Sequence, residues 1–231
     1  MRIVIVSDIH ANAEALQVLP EEYDELWILG DLVNYGPSPK EAIEFARAKA
    51  SLIVRGNHDH AIAFDEDPRC SARFRTMAEA TGRFTSSVLS DEHKQFLRGL
   101  PTHTEREIDG IRFFLCHALP SNPLYEYCLP DADRWVEEVH GLAADALLTG
   151  HTHLPLHRQI GSKLIVNPGS LGQPKHGHPE ACYAVWEDGA VRLMSAPYEV
   201  DATIRKIHGL ALAPEIQEDL CTVLRYGGFP A

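Results

Sequence analysis

The sequence has few cysteines and no long apolar run. Its five cysteines are odd in number, and no two are spaced as Cys-x-x-Cys. This argues against a disulfide framework or a zinc knuckle and indicates a reducing compartment. The apolar run within residues 2–6 is far too short for a signal peptide or a membrane span. We therefore expect a soluble, cytoplasmic protein without membrane contact.

Positively charged residues are also fewer than negatively charged ones. Lys and Arg together number 21 against 33 Asp and Glu, which gives a formal net charge of −12. Such a field repels a long phosphate backbone, so we expect no stable binding of a nucleic-acid polymer. A small anion remains compatible, because bound cations can reverse the sign of the charge locally.

Repeats and low-complexity segments are likewise missing. With 231 residues, of which 45 % are apolar, the chain can bury a sizeable core. That length fits one α/β domain covering residues 1–231, or one domain that carries an inserted lobe.

The order of apolar runs predicts the architecture. In the first half, buried strands alternate with helices, which implies parallel pairing. The predicted strands are 2–6, 26–29 and 52–54, and the predicted helices are 13–19 and 39–50. The second half is richer in hairpins, with turns at Asp109-Gly110 and Asp188-Gly189. Two sheets packed face to face with helices outside satisfy both halves.

Residues 64–100 have no strand pattern. Their apolar residues recur near helical spacing, and Ser90 opens a second helix that stops at Gly99 and Pro101. Two interpretations stay open at this point. The segment is either a helical insertion or lid between two core strands, or a pair of ordinary core helices.

Polar groups follow five of the predicted strands, at the point where each strand ends. These groups are Asp8-x-His10, Gly30-Asp31, Gly56-Asn57-His58-Asp59, His117 and Gly150-His151-x-His153. In open α/β sheets, ligands bind beyond the carboxyl ends of the strands. Asp8 and His10 are two residues apart, so an extended segment would point both the same way. Seven of these side chains, all nitrogen or oxygen donors, match two divalent ions without thiolate ligands.

Each group has an ordinary explanation when taken alone. Gly30-Asp31 is typical of a turn, Asn57 can cap a helix, and a lone His117 is more often a core histidine. A core, however, does not need charged and imidazole groups at every strand end, where burial without partners costs several kcal/mol. The five groups in order therefore favour a metal site.

The ordered set resembles the calcineurin-like metallophosphoesterase superfamily. Segments 30–37 and 167–170 are similar to its small prokaryotic branch, often described as phosphodiesterases. The resemblance implies an α/β fold, a four-layer α/β/β/α sandwich of two mixed sheets. It also implies two metal sites that share Asp31. One would be formed by Asp8, His10, Asp31 and His153, and the other by Asp31, Asn57, His117 and His151. The catalytic pair would be His58, standing over the phosphate, and Asp59, orienting it.

The implied activity is hydrolysis of a phosphate ester, most simply a small nucleotide-like phosphodiester. Two divalent ions about 3.5–4 Å apart can share a hydroxide that attacks phosphorus. The donor types suit Mn, Fe, Zn or Ni. A phosphomonoesterase, a protein phosphatase or a non-catalytic scaffold of the same fold are the alternatives. Protein phosphatases carry Asp-Arg-Gly where this chain has Asn34-Tyr35-Gly36, and Ala11 and Ala118 replace common glycines.

Four further residues are weaker candidates for contacts with a small phosphorylated substrate. Asn12 either contacts phosphate or caps the first helix, and the cap is favoured. Lys175 and His176 lie in a Gly/Pro-rich loop that either binds anions or is simply solvated. Arg73 lies in the 64–100 segment, where charged residues usually face solvent.

Overall fold

The computed structural model describes residues 1–230 and has two five-stranded mixed sheets at its centre. The strands are, in chain order, β1 (Arg2–Val6), β2 (Glu25–Ile28), β3 (Leu52–Ile53), β4 (His103–Ile108), β5 (Ile111–Cys116), β6 (Ala146–Leu148), β7 (Leu156–Ile160), β8 (Lys163–Asn167), β9 (Ala181–Glu187) and β10 (Ala190–Ala196). The first sheet has the order β10-β9-β1-β2-β3, and the second has the order β4-β5-β6-β8-β7.

Each sheet combines a parallel centre with antiparallel edges. In the first sheet, β1, β2 and β3 run parallel, and β9 pairs antiparallel with both β1 and β10. In the second, β5, β6 and β8 run parallel, while β4 and β7 are antiparallel edge strands. The parallel strands of each sheet therefore end on the same edge, and polar loops follow them there.

Helices cover the outer faces of both sheets. They are α1 (Pro39–Lys49), α2 (Asn57–Phe64), α3 (Arg75–Val88), α4 (Asp91–Gly99), α5 (Arg134–His140), α6 (Val200–His208) and α7 (Pro214–Tyr226). Ile43 of α1 packs in one cluster with Val4 and Ile28 of the first sheet. Trp135 of α5 packs with Phe114 of the second sheet.

The two sheets meet face to face over an aromatic core. Ile5 and Trp27 of the first sheet pack with Phe113 and Leu115 of the second. The rings of Trp27 and Phe113 meet edge to face with centroids 5.2 Å apart, and Trp186 lies 4.9 Å from Phe113 on another side. Alternate residues of β1 and β2 thus face opposite cores, as the period of two in a strand requires. The four-layer α/β/β/α sandwich expected from the sequence is confirmed.

The segment 64–100 is packed into the body of the protein. Leu97 of α4 is buried in the cluster that also contains Ile43 and the outer face of the first sheet. Met77 of α3 is 1 % exposed and packs with Ile207 of α6 and Leu220 of α7. Removing these helices would therefore expose two apolar clusters.

The first predicted helix is shorter than expected. A helical stretch was expected at residues 13–19, and the structure has a 3-10 helix at Ala15–Val18. Proline disfavours helical backbone in the residue before it. Leu19, which precedes Pro20, is accordingly extended, with φ −64° and ψ 141°. Within residues 1–230, no helix combines the length and apolarity needed to cross a membrane.

Candidate metal centre

The seven predicted ligands come together where the parallel strands end. Asp8 and His10 follow β1, Asp31 follows β2, and Asn57 begins α2 just after β3. The second sheet contributes the remaining three from the loops after β5 and β6, namely His117, His151 and His153. All seven are at most 3 % exposed. The two sheets therefore supply one shared, buried set of nitrogen and oxygen donors.

The backbone at these ligands is left-handed, which corrects the reasoning from extended segments. Positive φ values occur at five of the ligands: Asp8 (54°), His10 (46°), Asp31 (56°), His151 (66°) and His153 (60°). The predicted ligands Asp8 and His10, and likewise His151 and His153, lie in tight turns and not in a continuing strand. Left-handed backbone costs about 1–3 kcal/mol at a non-glycine residue and clusters at functional sites. The loops therefore carry strain that the surrounding structure sustains.

Hydrogen bonds between loops hold this backbone in place. The backbone N–H of Asp8 donates to the carbonyl of Gly30 at 3.0 Å, and that of His10 donates to the carbonyl of Asp31 at 2.9 Å. Ala11, which replaces a common glycine, also has a positive φ (51°), and its N–H donates to Leu32 at 2.8 Å. The loop after β1 is thus clamped to the loop after β2.

Glycines at two positions allow these loops to approach one another. Gly30 has φ +92°, and a Cβ added to it would lie 2.8 Å from Cα of Gly56. A Cβ added to Gly150 would lie 2.8 Å from Oδ2 of Asp8 and would collide with the hydroxyl of Ser7. At both positions a side chain would prevent the observed approach of neighbouring loops.

Two imidazoles face each other on one side of the centre. Nδ1 of His10 donates to the carbonyl of Val33 at 3.0 Å, and Nδ1 of His153 donates to the carbonyl of Gln173 at 2.6 Å. Because a carbonyl only accepts, each neutral ring keeps its lone pair on Nε2. These two Nε2 atoms lie 3.1 Å apart, and Oδ1 of Asp8 lies 3.1 Å from that of His153. Such facing lone pairs repel unless a cation lies between them.

A second facing pair lies on the other side. Nδ1 of His117 donates to the carbonyl of Leu29 at 2.7 Å, which in the neutral ring leaves its Nε2 as an acceptor. That atom lies 3.2 Å from Nδ1 of His151 and 3.0 Å from Oδ1 of Asn57. The other ring nitrogen of His151 faces the carbonyl of Tyr125 at 3.3 Å. Three acceptors therefore converge here as well.

Asp31 lies between the two pairs. Its Oδ2 is 3.7 Å from Nε2 of His10 and 3.3 Å from Nε2 of His117. Oδ1 of Asp8 is fully buried and has no hydrogen-bond partner among residues 1–230. A buried carboxylate oxygen without a donor is costly unless a cation binds it. The donor set therefore fits two divalent ions, with Asp31 able to reach both.

The protonation states of His151, His153 and Asp8 agree with this set, and that of His117 makes metal binding dependent on proton release. Burial lowers the pKa of His151 to about 3 and that of His153 to about 4, so both rings are neutral at neutral pH. Burial also lowers the pKa of His117, but the Asp31 carboxylate outweighs it and raises the pKa to about 9. In the absence of an ion this ring is therefore protonated at neutral pH, and a cation that binds it displaces the proton. Burial raises the pKa of Asp8, but charge interaction with the surrounding histidines, His153 first among them, lowers it well below its usual range. Ionised carboxylates and neutral imidazoles are the forms that bind metals.

The comparisons with known proteins agree with this geometry. The model of the calcineurin-like phosphoesterase superfamily domain matches residues 1–188. The chain belongs to this superfamily. The crystal structure of a metallophosphoesterase from Sphaerobacter thermophilus is 31 % identical, with a TM-score of 0.83, over 98 % of this chain and 99 % of that one.

Two curated relatives also extend over most of the chain. An uncharacterised protein of Methanocaldococcus jannaschii is 29 % identical over 228 residues, covering 89 % of this chain and 91 % of the relative. Phosphodiesterase YfcE of Escherichia coli strain K12 is 27 % identical over 211 residues, covering 84 % of this chain and 92 % of YfcE. Membership of the superfamily establishes a hydrolase of the phosphoesterase class and implies divalent metal ions.

His58 stands beside the ligand set of this phosphoesterase without joining either facing pair. Its ring lies edge to face with that of His10, with centroids 5.2 Å apart, and it is 3 % exposed. Nδ1 of His58 lies 3.0 Å from Nδ2 of Asn34. Burial lowers the pKa of His58 well below 6.5, so the ring is neutral at neutral pH. The sequence reasoning missed Asn34, although it lies in the segment that departs from the protein phosphatases.

Asp59 has a different role from the expected one. One carboxylate oxygen accepts from the N–H of Asp31 at 2.8 Å and of Gly56 at 3.1 Å. The other accepts from the N–H of Leu32 at 2.8 Å. The expectation that Asp59 orients His58 needs correction, because its carboxylate accepts from these three backbone donors and not from the ring of His58. Asp59 thereby ties the loops that carry Asp31 and Asn57 together.

Asn12 lies at the start of the short 3-10 helix, in the capping position that the sequence favoured. It is 1 % exposed, and its Oδ1 accepts from the N–H of Ala15 at 3.2 Å and the hydroxyl of Thr203 at 3.0 Å. Its Nδ2 donates to the carbonyl of Gly172 and the hydroxyl of Tyr198. With these bonds made, Asn12 is a capping residue and not a substrate contact.

The remaining three candidates lie on one side of the centre. Nζ of Lys175 is 3.4 Å from Nε2 of His153. The ring of His176 is 3.7 Å from the sulfur of Cys182, and the guanidinium of Arg73 lies over the ring of Phe229, 4.4 Å from its centroid. Lys175 is therefore the one of the three that reaches the ligand set directly.

Proposed function

We propose that this chain is a dinuclear metal-dependent phosphodiesterase that hydrolyses a small, nucleotide-like phosphodiester. The observation that carries the proposal is the pair of facing imidazole sets, His10 with His153 and His117 with His151, on either side of Asp31. Superfamily membership gives hydrolysis of a phosphoester, and this geometry supports two ions.

When bound by these residues, divalent ions would supply a nucleophile at neutral pH and would neutralise negative charge on the phosphoryl oxygens. The chain's part is to hold the ligands in fixed tautomers. Carbonyl acceptors do this at His10, His117 and His153, because each fixes the proton on the ring nitrogen that faces away from the centre.

His58 is assigned to the reacting phosphate. With the amide nitrogen of Asn34 towards its ring, Nδ1 of His58 accepts and the proton lies on Nε2. A neutral imidazole N–H can donate a hydrogen bond to a phosphoryl or leaving oxygen and transfer its proton as that oxygen departs.

A diester is favoured over a monoester. Where protein phosphatases carry a phosphate-binding arginine, this chain has Tyr35, which is 3 % exposed and has its ring 4.8 Å from that of His10. A monoester dianion gains more from that guanidinium than a diester monoanion does. The name of the relative YfcE, a phosphodiesterase, points the same way.

Metal identity and location are part of the proposal. Imidazole, carboxylate and amide donors without thiolate suit manganese as well as iron, zinc or nickel. The five cysteines are free and buried, which fits a reducing, cytoplasmic environment. The net charge of −12 favours a small substrate over a nucleic-acid polymer.

Two chromogenic esters test the proposal. Purified protein supplied with Mn²⁺ should hydrolyse bis(p-nitrophenyl) phosphate with a higher kcat/KM than p-nitrophenyl phosphate. Turnover of the monoester alone would replace the proposal with a phosphomonoesterase. Failure on both esters with two ions bound would point to a non-catalytic scaffold.

A further inference from the structure

A cleft of about 700 Å³ lies beside the metal centre, between the segment 72–74, the loop after β8 and the C-terminal segment 226–230. Its walls include Arg73, Phe74, Lys175, His176, Tyr226 and Phe229. The volume is in the range of small-ligand pockets, about 300–1,000 Å³. Three basic side chains and three aromatic ones thus surround a single cleft.

Lys175 joins this cleft to the metal centre. It lines the cleft, and its Nζ lies 3.4 Å from Nε2 of His153. The same ammonium lies over the ring of Phe74, 4.0 Å from its centroid. If one phosphate of a ligand lies at the metal centre, the group bonded to that phosphate would therefore contact Lys175 and lie in the cleft.

The aromatic wall is held in position before any ligand binds. The N–H of Gly177 donates to the carbonyl of Gly227 at 2.8 Å, which ties the C-terminal segment to the loop after β8. Gly227 has φ +64°, and a Cβ there would collide with the backbone of His178. Arg73 packs on Phe229, while Tyr226 keeps 56 % of its surface exposed. The backbone next to Tyr226 is thus held in place, while the face of its aromatic ring remains accessible to a ligand.

The cleft is lined by positively charged side chains, whereas the chain as a whole has a net negative charge. Its lining residues in the described part of the chain include no carboxylate, and within residues 1–230 neither Arg73 nor Lys175 makes an ion pair with one. A second cleft of about 610 Å³, next to Asn34 and α3, is lined by Asp65, Glu66, Asp67 and Glu79, with Arg83 as its one basic residue. An anionic ligand is therefore drawn to the first cleft and repelled from the second.

We propose that this cleft binds the nucleoside end of the substrate, and that the substrate class is an ester of a nucleoside polyphosphate. The base stacks on Tyr226, and the phosphates that follow the scissile one are held by Lys175 and Arg73. The inference rests on the proposed function and adds the substrate class to it.

Two physical properties favour this ligand over a simple alkyl or aryl diester. Stacking of a nucleobase on an exposed aromatic side chain strengthens binding for any base, because every base has a flat π face. An unpaired guanidinium presents planar donors that match phosphate oxygens. A small diester would leave both Tyr226 and Arg73 without a partner.

The test compares Tyr226→Ala and Arg73→Gln with the matched control Arg83→Gln, which removes a charge from the same helical segment but beside the acidic cleft. We expect the ratio of kcat/KM for diadenosine tetraphosphate to that for bis(p-nitrophenyl) phosphate to fall about tenfold in each cleft variant. The control should keep the wild-type ratio. An unchanged ratio in both cleft variants overturns the inference.

A binding measurement separates this inference from the proposed function. ADP titrated calorimetrically into the chelated protein should bind about tenfold more weakly to Tyr226→Ala than to wild type and to Arg83→Gln. No binding to wild type, or equal affinity in all three proteins, overturns the inference. Failure of wild type to hydrolyse bis(p-nitrophenyl) phosphate would count against the proposed function alone.

Discussion

The side-chain amide of Asn34 lies 3.0 Å from Nδ1 of His58, and this contact fixes the ring that stands beside the metal ligands. Asn34 is 1 % exposed and has a left-handed backbone, with φ 68°. An amide, unlike a carboxylate, holds the ring without adding the charge that would favour an imidazolium. The pair therefore points to a neutral His58 that donates through Nε2.

His58→Ala should keep both metal ions and lower kcat by about 10²–10⁴-fold, the usual contribution of a positioned proton donor. The reason is that His58 makes no contact with either facing imidazole pair except through the edge of His10. Metal content by atomic emission and kcat on bis(p-nitrophenyl) phosphate provide the measurement. The control is His60→Ala, two residues along α2, whose ring contacts Glu66 at 3.5 Å. Loss of an ion in His58→Ala alone would mean that His58 is a ligand.

Asn34→Ala should lower kcat by about tenfold, because the amide acts only by holding the ring of His58. A double-mutant cycle gives the decisive readout. With His58 already replaced by Ala, removing Asn34 should have no further effect on kcat. If the two effects multiply instead, Asn34 acts on the substrate by a route that does not involve His58.

Asp59→Asn should destabilise the protein while leaving kcat per metal-loaded molecule within about threefold. An amide offers one acceptor oxygen, so at least one buried N–H of Asp31, Leu32 or Gly56 loses its partner. Each unsatisfied group costs about 1–3 kcal/mol, and about 2–4 °C of Tm accompanies each kcal/mol in a chain of this size. Thermal unfolding measures the loss, and Asp65→Asn on the exposed loop is the control. A kcat as low as that of His58→Ala would restore the orienting role.

The strand-end pattern made the candidate ligands predictable from sequence. The parallel strands of one sheet must end on a common edge, so polar residues after β1 and β2 meet, and so do those after β5 and β6 in the second sheet. The backbone at Asp8 and His10 was not predictable, because a positive φ at a non-glycine residue leaves no compositional signal. The hydrogen bonds of Asp59 were missed for a similar reason, since they join it to backbone groups that any residue type offers.

Other features of the fold also differ in whether local sequence or tertiary packing determines them. The Asp109-Gly110 and Asp188-Gly189 turns specify their hairpins locally, and the structure has β4-β5 and β9-β10 there. The cleft beside the metals depends instead on residue 73, residue 175 and residue 226, which are brought together only by tertiary packing. Arg73 and Lys175 were therefore visible as single candidates, and Tyr226 was not.

Chelation should abolish turnover and lower Tm. Asp8 and Asp31 are buried at the centre, and Oδ1 of Asp8 has no partner within residues 1–230, so bound cations stabilise the native state alone. Ions at 100 times their Kd contribute about 2.7 kcal/mol, which corresponds to a Tm shift of about 5–10 °C. Calorimetry before and after EDTA, with re-addition of Mn²⁺, measures both effects. Activity that survives exhaustive chelation would contradict the two-ion mechanism.

Gly150→Ala should empty the metal site formed around Asp8, although alanine can adopt this backbone conformation. Gly150 has no positive φ, so the substitution acts through steric clash and not through backbone strain. The added Cβ would meet Oδ2 of Asp8, the oxygen that accepts from the N–H of His151 at 3.0 Å, and the hydroxyl of Ser7. Both groups sit on the loop after β1, which also carries His10, so displacing them moves two ligands of one ion.

The matched control is Gly99→Ala, at the last residue of α4, where an added Cβ meets no atom within 4 Å. Alanine in a helix is favoured over glycine by about 0.5–1 kcal/mol, so this variant should equal or exceed wild type in Tm. Metal content after dialysis should fall from two ions to at most one in Gly150→Ala and remain at two in Gly99→Ala. Two ions in a folded Gly150→Ala protein would show that the loop after β1 can move without losing Asp8 as a ligand. The close packing of the loops would then be incidental to metal binding.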